Sequence, residues 1–403
     1  MSHPPLWYAQ FPKSRRSSHP RLRGEHAARV VIIGGGLTGV ACAFSCAGAG
    51  LAPLLLEADV LGGGMTAGDT GILREGFAGS FEAVARTHGL RDARNLWDGM
   101  RRGSLDFAAA LRRLGIRCDL TAQDVLTLAG PAHDAGRLLR RDYETRRRAK
   151  VEGTWLTPAV VARETAVLSA GAIRTRAAVL DPYRACIGLA AAAASRGAQI
   201  FEKSGVRRIR ASRKHVDVVT DDATVRAETV IIATSAPIQD LRALRRHLSA
   251  DHLYGVVTAP LPSNLRRQVG TRAAVLEDAV GEGRTIRWLA DNRVLVQGGR
   301  QAAVPERARE RAVIQRTGQI MYELSLLYPQ ISGLQAESSW DSVDYKTADD
   351  LPLIGPHRNF PRHLFALGSA HHGAGLAWTT ARILLRHLQG EATKTDDAFG
   401  FRR

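Results

Sequence analysis

The chain has 403 residues, 45% hydrophobic and 24% charged, the makeup of a globular protein large enough for two domains. Its formal net charge of +17 rests on 56 basic residues, only six of them Lys, spread along the whole length. No apolar run approaches the ~20 residues a membrane-spanning helix requires, and four cysteines in so long a chain make no disulfide framework.

Residues 1–27 form a polar arm rich in Arg and Pro, without the apolar core of a signal peptide, so a cytoplasmic location is expected. Trp7 and Tyr8 suit the arm to be a strap across its own domain or a docking segment. Residues 28–33 are an apolar, β-branched run, as in a strand buried on both faces of a parallel sheet. A glycine turn, a small-residue helix over 37–49 and a second apolar run at 51–56 complete a β-α-β unit. Cys42 and Cys46 fall on that helix and read as small core residues.

The stretch "LGGGMTAGDTGILREG" is too glycine-rich for a regular element and reads as a loop over a ligand. Helical patterns follow over about 78–114 and 132–150. The densest basic run, "RLLRRDYETRRRAK", puts Arg140, Glu144 and Arg148 at i,i+4 steps, the spacing of a solvated helix face. Asp181 and Pro182 open another helix, as cap and first residue. Short strands come next, ending in the apolar "TVIIATSA". Residues 245–330 alternate like an antiparallel sheet, with a helix near 306–327, and the chain closes with a strand, a Gly-rich turn and a helix.

The fold class is therefore α/β. A Rossmann-like domain assembled from a discontinuous chain carries an α+β substrate domain with an antiparallel sheet. The expected divisions are an arm at 1–27, nucleotide-binding parts at 28–115, 166–240 and 336–395, substrate parts at 116–165 and 241–335, and a tail at 396–403.

In "GGGLTG", Gly34, Gly36 and Gly39 have the dinucleotide spacing. The first permits a tight turn, the second lets backbone approach a pyrophosphate, and the third lets helix pack on strand. Leu37 and Thr38 open the helix, whose free N–H groups suit phosphate. Glu57, followed by Ala58, ends the next strand where a ribose hydroxyl would be bound.

The loop after Glu57, the "ATSA" turn and the C-terminal "TADDLPLIGP…FALGSAHHGAGLAW" together resemble the D-amino-acid-oxidase superfamily of FAD enzymes. That group includes sarcosine, glycine and putrescine-derivative oxidases, and the resemblance runs from about Arg29 to Gly390. It implies FAD as cofactor; no Cys follows Cys186, which excludes a cysteinyl link in the C-terminal part, so the flavin is expected to be held non-covalently. Gly34, Gly36, Gly39 and Glu57 would hold the ADP half, and Gly64, Met65, Thr66, Gly71 and Ile72 would run along the pyrophosphate and flavin. Val206 would touch adenine through its backbone, and Ala233 and Thr234 would close that side. Gly368, His371, His372, Gly373, Ala374, Gly375 and Leu376 would sit by the isoalloxazine.

The resemblance also implies catalytic or substrate-binding roles for His372, Arg300, Arg74 and Tyr254. Either arginine would pair with a substrate carboxylate. The implied reaction is oxidation of a C–N bond in a small amine or amino acid. A tRNA-modifying oxidoreductase and a non-catalytic flavoprotein subunit stay open as alternatives, and so does nucleic acid as a partner, although no basic patch with interleaved aromatics occurs. "RVLVQGG" lacks the family's Lys, and Gly375 stands where the sarcosine-type motif has Lys, so the electron acceptor is left as oxygen or a quinone or carrier. No metal is expected. The oligomeric state is not readable.

Overall fold

The computed structural model describes residues 4–130, 134–279, 283–368 and 373–402. The apolar runs pair as parallel strands. Gly24–Ile33 lies between Ala223–Ser235 and Leu54–Leu56, with Gln199–Phe201 beyond the latter. Phe360–Leu367 joins Ala223–Ser235 in parallel, so the beginning, middle and end of the sequence meet in one sheet. Val31, Ile32, Ile231 and Ile232 are at most 1% exposed, because helices cover one face and loops and the antiparallel flank the other. The helix Leu37–Gly48 packs beside Pro182–Ala194 and Ala374–Gln389, and its small residues let these axes approach closely. All four cysteines are free and buried.

A second sheet runs in the order Ala336–Lys346, Ser249–Thr258, Val294–Ala302, Thr285–Trp288, Ala274–Asp278, Asp124–Leu128, Ala172–Thr175, Thr154–Leu156. It is antiparallel except where Ala274–Asp278 meets Asp124–Leu128. Two strands fall across the expected divisions. Ala172–Thr175 and Ala336–Lys346 both belong to this sheet, whereas the sequence places 166–240 and 336–395 in the nucleotide domain. The long helical pattern at 78–114 also divides, at Gly89 with φ +83, into Phe81–His88 and Leu90–Arg113.

One face of the second sheet is apolar and covered by the helix Glu306–Leu327. The other faces the nucleotide domain. There, strand register sets Thr127, Glu277, Thr285, Gln297, Gly255 and Trp340 side by side in one row. Directly paired residues share a face of a pleated sheet, so this row runs unbroken across six strands.

The arm is a strap. Its helix Leu6–Gln10 buries Leu6 and Trp7 against Ala67, Tyr183, Leu295 and Trp340. The Trp7 indole N–H donates to the Asp69 carbonyl at 2.7 Å, and the Arg287 guanidinium stands 4.9 Å from its ring. Trp7→Ala is expected to cost about 3–5 kcal/mol in unfolding free energy and to lower the flavin content of purified protein, because the strap backs the loop at 65–71. Unchanged melting and flavin content would show the strap to be passive.

Candidate active site

Between the two sheets lies a cavity of about 460 Å³. Its nucleotide end is built by the glycine turn. Gly34 has φ +109, and a Cβ there would come within 2.5 Å of the Ala233 carbonyl oxygen, so the turn hugs the neighbouring strand. The helix beginning at Leu37 points its N-terminus at the cavity, with the Leu37 N–H already donating to Thr66 Oγ1 at 2.9 Å. Ala374–Gln389 does the same from the opposite side, with Gly373 (φ +80) as its cap. Two helix N-termini on one cavity favour an anion such as a pyrophosphate.

Glu57 closes the end of the pocket. Its Oε2 accepts the Gly35 N–H at 2.6 Å and its Oε1 the Asp59 N–H at 2.9 Å. Burial raises its carboxyl above the ordinary value, against those two bonds. Each oxygen retains a lone pair for a sugar hydroxyl.

Of the residues expected to hold the cofactor, Gly34, Gly36, Leu37, Thr38, Glu57, Ala58, Gly64, Met65, Thr66, Val206, Ala233, Thr234, Gly373 and Ala374 line the cavity. The others stand behind the wall. Gly39 abuts the Gly34 carbonyl, Gly71 lies against Leu180 and Arg287, Gly375 against Ser104, and Gly368 against Leu248 and Thr347. Ile72 and Leu376 are core residues at 0% and 1% exposure. His371 and His372 lie outside the described residues.

The other three residues expected at the reaction zone are placed differently. Tyr254 is on the far face of the second sheet. Its neighbour Leu253 lines the cavity, so alternation turns Tyr254 toward Glu306–Leu327, where its hydroxyl accepts from Gln301 Nε2 at 2.6 Å. Arg74 forms a two-pronged ion pair with Glu277, Nη1 to Oε2 at 2.5 Å, outside this cavity. Arg300 bonds Asp251 at 3.1 Å and Asp344 at 2.8 Å. Only its partner Asp344 reaches the cavity wall.

Four polar residues that the sequence reading did not single out line the end next to the second sheet: Asp69, Gln297, Ser342 and Asp344. Asp69 Oδ1 accepts the Gly71 N–H at 2.5 Å. Burial pushes its carboxyl up to about 6, although the Gly71 bond and the Arg74 and Arg287 charges pull it down. Gln297 Nε2 donates to the Gly68 carbonyl at 3.1 Å, next to Asp69 in the chain, and both residues line the cavity. A signal for both existed: an acid inside a glycine-rich loop, and a lone amide in the apolar strand "VLVQGG". No group of His, Cys, Asp and Glu among the described residues could hold a metal ion, and no helix among them is long and apolar enough to cross a membrane.

This enclosure suits a dinucleotide: Glu57 would accept from its sugar, and the two helix N-termini would face its phosphates. A family profile described as "FAD dependent oxidoreductase" matches residues 29–386. The chain belongs to this family. It is an FAD-dependent oxidoreductase, an enzyme, and FAD is its cofactor. Gamma-glutamylputrescine oxidoreductase of Escherichia coli is 25% identical over 376 residues, covering 91% of this chain and 85% of that protein. Glycine oxidase from Geobacillus kaustophilus superposes with a TM-score of 0.76 at 22% identity, covering 94% of this chain and 99% of that one. L-proline dehydrogenase from P. horikoshii gives 0.75 at 17% identity, covering 93% and 97%. These likenesses show the fold of the oxidoreductase.

Proposed function

We propose that the enzyme oxidises the C–N bond of a small amine or amino acid to an imine, which water then hydrolyses. The observation that carries this reading is that an ionisable carboxylate, Asp69, and the Gln297 side-chain amide line one FAD cavity, with Gln297 bonded to the carbonyl of Gly68 just before Asp69. The relatives named for putrescine-derivative, glycine and proline substrates support it. FAD supplies the hydride acceptor at its N5.

The chain's own residues do the rest. An amine arrives as an ammonium, and its nitrogen must lose a proton before hydride can leave the α-carbon. Asp69, ionised above pH about 6, takes that proton at Oδ2, the oxygen that the Gly71 N–H does not hold, and Gln297 orients the nitrogen. Leu253 and the buried Trp340 keep water away from the reacting carbon. With that proton gone, the nitrogen lone pair would assist loss of hydride from the α-carbon, and water would hydrolyse the iminium so formed.

Asp69→Asn keeps an acceptor for the Gly71 N–H but removes the base. Anaerobic flavin reduction by an amine substrate is expected to slow about 10²-fold or more, while FAD stays bound. In the native enzyme, the limb that rises as pH passes through about 6 belongs to Asp69, so it vanishes in the variant. A linkage effect accompanies it. The folded protein holds this proton more tightly than the unfolded chain, whose ordinary value is 3.8, so ionisation between 3.8 and about 6 costs stability. Persistence of the kinetic limb in Asp69→Asn would remove Asp69 from the reaction.

A further inference from the structure

Each carbonyl from Gly68 to Gly71, beside the cofactor cavity, is held by a donor from a different part of the chain. Gly68 accepts from Gln297 Nε2 at 3.1 Å and Asp69 from the Trp7 indole N–H at 2.7 Å. Thr70 accepts from Arg287 Nη1 at 2.6 Å and Gly71 from the Leu180 N–H at 2.8 Å. Arg287 Nη1 also donates to the Leu180 carbonyl at 2.8 Å, so one nitrogen stitches this loop to the segment beside it. Gly71 admits the guanidinium: its φ is +70, and a Cβ there would come within 2.5 Å of Nη1.

Arg287 is 5% exposed and makes no ion pair among the described residues, and its Nε has no hydrogen-bond partner among them. Burial draws its guanidinium down to about 10, so it stays a cation over the working range, with Asp69, Asp181 and Asp119 acting on it through space. Anchoring alone does not ask for such a residue. A neutral amide could hold the loop, as Gln297 holds Gly68, without the cost of an enclosed charge. Of the three acids, Asp181 and Asp119 already have Arg184, at 3.3 and 3.2 Å. Asp69 makes no ion pair among the described residues and lines the cavity. Arg74 also pulls the Asp69 carboxyl down, but its guanidinium is shared with Glu277, and Asp344 on the same cavity is shared with Arg300.

We propose that Arg287 is the positioning residue of the proton acceptor: it fixes the Asp69 loop through Thr70 and supplies an unshared positive charge that favours the ionised carboxylate. This inference rests on the amine-oxidation reading above, in which Asp69 takes the proton. Its two parts, hydrogen bond and charge, separate by substitution. Gln keeps a donor for the Thr70 carbonyl and loses the charge, whereas Lys keeps the charge and a donor. Without the charge, burial is less opposed, so Asp69 holds its proton to higher pH.

The test follows Asp69 itself, by infrared difference spectra of flavin-loaded enzyme across pH, its carboxyl band being the one that Asp69→Asn removes. In the native enzyme the midpoint is expected at about 6. Arg287→Gln should raise it by about one pH unit or more, and Arg287→Lys should leave it near the native value. Trp7→Phe, which removes the bond to the Asp69 carbonyl but no charge, is the anchoring control and should also leave it in place. A merely structural Arg287 would weaken flavin retention in its variants and move no midpoint. An unmoved midpoint in Arg287→Gln, an equal rise in Arg287→Lys, or no band lost in Asp69→Asn overturns the proposal. If Arg287→Gln does not fold, Arg287→Lys decides: flavin-loaded protein with the native midpoint supports the role of the charge, and a raised midpoint or loss of the fold overturns it. The rising limb of anaerobic flavin reduction by an amine should move with the midpoint. If no amine bleaches the flavin but the midpoint shifts as stated, the positioning role stands and the amine reading falls.

Discussion

Alanine at Gly39 is expected to yield protein without flavin. The added Cβ would sit 1.8 Å from the Gly34 carbonyl oxygen and 3.0 Å from its carbon, and both are backbone atoms of the turn that cradles the cofactor. Neither can yield without lifting the helix Leu37–Gly48 off the sheet. Overpacking alone costs about 1–3 kcal/mol, and the shift also spoils the aim of the helix N-terminus at the phosphates. Gly48→Ala is the control, since a Cβ there meets nothing within 4 Å. That variant should keep its flavin and melt no lower than the parent. The ratio of flavin to protein absorbance in the purified variants measures both. A yellow, normally melting Gly39→Ala protein would mean that the cradle is not built as described.

Arg74→Met is expected to destabilise the fold by about 3–5 kcal/mol, because it leaves the Glu277 carboxylate enclosed without its partner. The pair spans 203 residues of sequence and ties the short strand Ile72–Arg74 to Ala274–Asp278 of the second sheet. Arg74 is 9% exposed, and its Nη1 and Nη2 both point at Glu277. Arg74→Met/Glu277→Leu should recover most of the loss, since replacing both charges removes the orphan. Denaturant unfolding of the two variants decides it. If the double variant is no more stable than Arg74→Met, the pair is not an enclosed charge pair. The same geometry tells against Arg74 as the residue that receives a substrate carboxylate, because its guanidinium is already committed.

The nucleotide half was legible because its signals are local. Apolar runs such as Val30–Ile33 and Val230–Ile232 announce buried parallel strands, and three glycines at fixed spacing announce the turn between strand and helix. What escaped depends on contacts distant in sequence. Leu253 and Tyr254 are both buried, so no alternation of polar and apolar residues showed which of them faces the cavity. The Arg74 partner is unguessable from its neighbours. Asp142 and Arg146 have the i,i+4 spacing of an ordinary solvated pair, and only the arrival of Ser80 and Trp97 from other helices encloses them. Asp69 was visible as an acid in a glycine-rich loop. Its perturbed carboxyl follows from burial, which a one-dimensional reading does not supply.

The most direct measurement is anaerobic titration of the flavin-loaded enzyme with a panel of amines and amino acids, followed by admission of air or a quinone. At least one amine is expected to bleach the yellow flavin stoichiometrically, to release the carbonyl product and ammonia, and to do so far more slowly in Asp69→Asn. A protein that binds FAD but is bleached by no amine, or equally fast by amines in Asp69→Asn, would contradict that expectation.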